Sequence, residues 1–182
     1  MLCYPLGQPN IKWSERMSVR TILHLPHAVL GEVAKPVAVV SEEALALLED
    51  LIDTMRSFPG CVGLAAPQIG VSKRAFVVDV SGHRYTRTCH GLIAMFDPVI
   101  VEADDYRLAR EGCMSVPELT GDVERPYRIL VQGMGADGGV VSIESDAYEA
   151  RALAHEIDHL DGLLFLDRIA SPSRVYQRRA RH

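Results

Sequence analysis

The chain has 182 residues, with hydrophobic residues at 48%, charged residues at 24% and a formal net charge of −5, which suits one soluble globular domain with a sizeable core. That charge balance gives no pull toward polyanions, so neither specific DNA binding nor attachment to a membrane surface is expected. No apolar run approaches the roughly 20 residues that cross a bilayer, and the start, MLCYPLGQPNIKWSER, lacks the apolar core of a secretory signal. A cytoplasmic protein is the expectation.

Residues 1–16 have no clear period and read as an N-terminal extension to a domain over residues 17–170. A helix is predicted from Ser41. Ser41 is the N-cap, Glu42 and Glu43 lie in the first turn, and Leu45, Leu48, Ile52 and Met55 share one face. Phe58-Pro59-Gly60 ends it. Short strands follow at Ala75–Val80, Pro98–Glu102 and Ile129–Gln132, then a turn at Asp137-Gly138-Gly139 before Val140–Ile143. A second helix is predicted from Asp146, with Asp146 and Glu149 forming a capping box, to Leu160, with Gly162 closing it. The fold class is therefore α+β, with mostly antiparallel short strands around a late buried helix. The tail, residues 171–182, carries Arg174, Arg178, Arg179 and Arg181 with no acid. It reads as solvated, with a contact to ribosomal RNA as the alternative. Four cysteines (Cys3, Cys61, Cys89 and Cys113) form no C-x-x-C pair, which argues for free thiols or a metal thiolate over disulfides.

The late helix contains His155-Glu156-Ile157-Asp158-His159. Residues four apart share a helix face, so His155 and His159 can reach one ion. Glu156, rotated by about 100°, can flank that ion as a general base without ligating it. A catalytic centre needs a third ligand. Beyond Gly162 only Asp167 and the tail His182 offer donors, and neither is well placed. Upstream, Cys113 in Arg110-Glu111-Gly112-Cys113-Met114-Ser115-Val116 would complete a Cys-His-His set, with Met114-Ser115-Val116 read as a short extended strand. A further segment, Gly60-Cys61-Val62-Gly63-Leu64-Ala65-Ala66-Pro67-Gln68, offers free backbone N–H groups. Gln68 there is a polar side chain able to donate to an oxyanion.

In this order, Cys61–Gln68, Glu111–Ser115 and Ala154–His159 resemble the G-x-G-L-A-A-x-Q, E-G-C-x-S and Q-H-E-x-D-H segments of bacterial peptide deformylases. The likeness runs from about Val19 to Ile169. It implies a metallohydrolase that removes the N-formyl group from the initiator methionine of nascent chains. By the same resemblance Cys113, His155 and His159 would hold Fe²⁺, with Zn²⁺ or another divalent ion as the alternative. Glu156 would be the base, and Gln68 with the backbone N–H of Met114 would form the oxyanion site. Gly63, flanked by Val62 and Leu64, would pair with the substrate backbone, and Tyr148 would help to shape the pocket. Cys61 replaces the first Gly of the pattern and Ala154 the Gln. Two alternatives stay open here: a deacylase for another N-acyl group, and a non-catalytic binder of formylated peptides or ribosomes.

Overall fold

The computed structural model describes residues 2–3 and 18–178. In chain order the elements are β1 (Leu2–Cys3), α1 (Glu42–Ser57), β2 (Gly63–Ala65), β3 (Ala75–Val78), β4 (Thr88–Cys89), β5 (Ile93–Cys113), β6 (Val116–Met134), β7 (Val140–Asp146), α2 (Ala147–Leu160) and β8 (Val175–Gln177), with short 3-10 turns between them. The rest of the N-terminal extension lies outside the described residues.

The main sheet runs β2-β3-β5-β6-β7 and is antiparallel throughout, with β8 added alongside β6. Alternation along β3 explains how the sheet carries a helix on each face. Phe76 and Val78 pack with Leu153, Ile157 and Leu160 of α2, whereas Ala75 and Val77 pack with Leu48, Leu51 and Ile52 of α1. Each fully buried leucine in these two layers contributes roughly 1.5–3 kcal/mol. Helix α1 starts as predicted, the Ser41 hydroxyl accepting from the Ala44 N–H at 3.2 Å. Helix α2 ends before Gly162, whose φ is +72°. A side chain there would also meet the Gly31 and Glu32 backbone at 2.9 Å.

Four expectations change. The strands are not all short, because β5 and β6 form a hairpin of 21 and 19 residues. Its outer half reads as polar and charged, since backbone pairing sustains it there and apolar alternation does not. Met114 and Ser115 are the turn joining these strands and not a strand themselves. The capping box is absent: Asp146 makes no side-chain cap bond. Glu149 instead accepts from the His90 N–H at 2.8 Å and the Ser145 hydroxyl at 2.8 Å, and lies 2.7 Å from His90 Nδ1. A buried carboxylate takes its partners from the tertiary fold before it bends back to its own helix end. Finally, Cys89 is disulfide-bonded, while Cys61 and Cys113 are free.

The described part of the tail, residues 171–178, is largely exposed and also pairs with the hairpin. Val175–Gln177 pairs with Leu119–Gly121, Arg174 pairs with Asp122 at 3.3 Å, and Arg110 lies 3.6 Å over the Tyr176 ring. Residues 179–182 lie outside the described part. Among the described residues no helix is long and apolar enough to cross a membrane.

Candidate metal centre and active site

Three elements converge on one point. Helix α2 supplies His155 and His159 from one face, and the inner end of the β5–β6 hairpin supplies Cys113. The 3-10 turn after β2 supplies Gln68. The ligand atoms of Cys113, His155 and His159 lie within 4.8 Å of one another, with Cys113 Sγ 3.2 Å from His159 Nε2. All three residues are at least nine-tenths shielded from solvent.

The sulfur is prepared as a thiolate. Burial opposes its charge, but the imidazoles of His159 and His155 outweigh that and hold the Cys113 thiol well below its usual range. Gln68 Nε2 and the Ser115 N–H both point at the sulfur, each at 3.4 Å. The other end of Gln68 is fixed, its Oε1 accepting from the Ala65 N–H at 2.9 Å, while Nε2 also donates to the Ser115 hydroxyl at 3.2 Å.

The imidazoles are held differently. His155 Nδ1 lies 3.0 Å from Glu111 Oε2, which leaves Nε2 for an ion. Glu111 is in turn gripped by Arg125 at 2.9 and 3.1 Å, and Arg125 also pairs with Asp158. Burial would raise the Glu111 carboxyl, yet His155 and Arg125 bring it down to about 2. Asp158 receives a second arginine, Arg168, at 2.9 Å. His159 Nδ1 is buried without a hydrogen-bond partner among the described residues, as is Glu156 Oε2. Ala154, where the sequence pattern has Gln, is buried and carries no polar group.

Glu156 is 4% exposed, and burial pushes its carboxyl up to about 7 despite the nearby histidines, a value suited to a base working near neutrality. It lies against Gly63: a Cβ there would sit 2.5 Å from Glu156 Oε1. A side chain at Gly63 would thus displace the Glu156 side chain.

The remaining expected site residues divide. Val62 is partly buried against the core, and its carbonyl accepts from the Asp79 N–H at 2.8 Å. Leu64 has its side chain wholly in the α1-side core, so only its backbone can meet a ligand. Met114 lies in the hairpin turn next to Cys113 with its side chain partly buried. Tyr148 is stacked on His83 at 4.4 Å between centroids, with Tyr85 edge-on at 5.9 Å. The sequence reading missed two members: Ser115 and Asp158. Asp158 had a signal, since a carboxylate inside an otherwise buried helical stretch must find a cation.

The sequence model of polypeptide deformylases matches residues 19–175. A peptide deformylase of Halothermothrix orenii is 42% identical over 153 residues, covering 84% of this chain and 95% of that protein. The crystal structure of peptide deformylase from Thermotoga maritima is 40% identical and superposes with a TM-score of 0.76, covering 84% of this chain and 99% of that one. A Met-Ala-Ser-bound peptide deformylase of class I type b from Acinetobacter baumannii is 32% identical with a TM-score of 0.76, covering 82% of this chain and 99% of its own. On that match of sequence, fold and extent, the chain belongs to the peptide deformylase family, hydrolases that remove the N-formyl group from nascent polypeptides.

Proposed function

We propose that Cys113, His155 and His159 hold a divalent ion, and that Glu156, Gln68 and the Met114 N–H complete the centre with which this deformylase releases formate. The supporting observation is the convergence of one sulfur and two imidazoles within 4.8 Å beside a buried carboxylate. The donor set fits such an ion: a stabilised thiolate, one imidazole oriented by Glu111, and a second whose Nε2 faces the sulfur. When bound, the ion supplies Lewis acidity that makes water a nucleophile near neutral pH. We propose Fe²⁺ as that ion; the same sulfur–nitrogen set also suits Zn²⁺.

The protein's own groups do the rest. Glu156 takes the proton of the attacking water and passes it to the departing amine as the formyl C–N bond breaks; the water oxygen leaves in formate. Gln68 Nε2–H and the Met114 N–H donate to the formyl oxygen as it gains charge. The backbone of Val62, Gly63 and Leu64 pairs with the formyl-methionyl peptide as an added strand. The Met-Ala-Ser held by the Acinetobacter baumannii protein is the kind of product this reaction leaves. The setting we assign is the cytoplasm, where nascent chains emerge.

The test is anaerobic purification with metal analysis, then formate and acetate release from formyl- and acetyl-Met-Ala-Ser. Formate alone is expected. Glu156→Ala should keep its metal and lose at least about 10³-fold in turnover. Near-normal turnover in that variant would remove Glu156 as the base, and comparable acetate release would favour a broader deacylase.

A further inference from the structure

Strand β2 ends the main sheet, with β3 as its one neighbour among the described strands. The Val62 carbonyl turns toward β3 and accepts from the Asp79 N–H at 2.8 Å. In an antiparallel pair, successive residues turn their N–H and C=O groups to opposite sides, and Gly63 follows Val62 in that register, opposite Val78. The Gly63 N–H and carbonyl therefore face outward, to the open edge. Glu156 lies against the same glycine, and its Oε2 is buried without a hydrogen-bond partner among the described residues. An open backbone edge beside an unpartnered buried carboxylate marks a place where a ligand arrives.

One of the two outward groups is already engaged. The Cys61 thiol donates to the Gly63 carbonyl at 3.2 Å. Cys61 is held in place for this contact: its own N–H donates to the Phe58 carbonyl at 3.1 Å, just past α1, and its side chain is partly buried against the α1-side core. A thiol is a weak donor, so an amide N–H can outcompete it. A carbonyl that already holds one donor is also a poorer acceptor for the next. Glycine, the residue of the sequence pattern at position 61, carries no such donor. Cys61 takes no part in the chemistry assigned above.

We propose that Cys61 is an affinity-determining residue for the peptide: its thiol holds the Gly63 carbonyl in the free enzyme, and a backbone N–H of the incoming peptide displaces it or shares that acceptor. No covalent bond forms and no proton moves. The thiol weakens peptide binding equally before and during the reaction, so its effect falls on KM and spares kcat. This rests on the deformylase reading with its strand-like peptide pairing, and the two fail separately. If the wild type does not deformylate formyl-Met-Ala-Ser, that reading fails. If it does so and loss of the thiol brings no gain in affinity, only this inference fails.

The measurement is kcat and KM for formyl-Met-Ala-Ser in the wild type, Cys61→Ala, Cys61→Gly and Cys61→Ser. Versions of the peptide methylated in turn at the Met, Ala or Ser nitrogen serve as competitors of that turnover, each giving a Ki. Cys61→Ala and Cys61→Gly should lower KM about threefold, the low end of what one neutral hydrogen bond is worth, with kcat within about twofold of wild type. Cys61→Ser, which keeps a donor, should stay near the wild-type KM. Two of the methylated peptides should gain affinity in Cys61→Ala as the parent does, and the one lacking the hydrogen that meets Gly63 should gain nothing. A merely structural role for Cys61 would change kcat or move all the peptides alike. A KM that is not lowered in whichever of Cys61→Ala and Cys61→Gly folds, or an equal gain by all three methylated peptides, overturns the proposal.

Discussion

The site has two walls, and each carries a free cysteine in an opposite state. On the hairpin wall Cys113 is surrounded by imidazoles and N–H donors and held well below the usual thiol range. On the β2 side Cys61 has no such partners. Burial, with the Glu156 carboxylate next in weight, pushes its thiol up to about 12, and it donates to the Gly63 carbonyl at 3.2 Å. The hairpin wall is built from charge, tied down by Glu111, Arg125 and Asp158. The β2 wall is built from small and apolar residues whose importance is shape. Burial penalises charge on both walls, and only opposing charges and donors in place reverse that penalty.

The largest effect should come from the charged wall. Cys113→Ala should lose both the metal and turnover, with metal content measured directly; a variant that still holds a full complement of metal would break the contrast between the two thiols. Next is Arg125→Met, which leaves Glu111 and Asp158 buried with one partner fewer. Such a loss costs about 3–5 kcal/mol, and chemical denaturation should report it. A stability change below about 1 kcal/mol would mean that this network matters less than its burial implies.

On the shape wall the expected effect is kinetic. Gly63→Ala places a Cβ 2.5 Å from Glu156 Oε1, and displacing that carboxylate by about an ångström should lower turnover by about 10²-fold with metal content retained. Unchanged turnover would show that the carboxylate has room to retreat. The smallest and most local test is the Cys61 thiol. With its pKa at about 12, only about 10⁻⁴ of it is thiolate at pH 8, against about one-quarter for an ordinary thiol. Alkylation of the folded protein at Cys61, followed by peptide mass analysis, should be slow at pH 8 and rise about tenfold per pH unit up to pH 10. Fast modification at pH 7 would place Cys61 in a wetter setting.

Local signals determined much of this in advance. Ser41 and its two glutamates fixed where α1 begins, and Gly162 fixed where α2 ends. The i, i+4 spacing put His155 and His159 on one face with Glu156 beside them, because those features depend only on neighbours in the chain. The third donor at Cys113 could be named from sequence, but its meeting with His159 depends on the hairpin bringing residue 113 beneath α2. Tertiary structure alone decided the long hairpin, whose outer half is sustained by strand pairing that leaves no apolar pattern to read. It also decided the fate of single polar groups. Glu149 left the capping box for His90, Asp158 found Arg125 and Arg168, and Arg151 crossed to the Arg110 carbonyl with one donor left over. A helix periodicity says which face a side chain occupies. Which buried charge it meets there is set by strands far away in the chain.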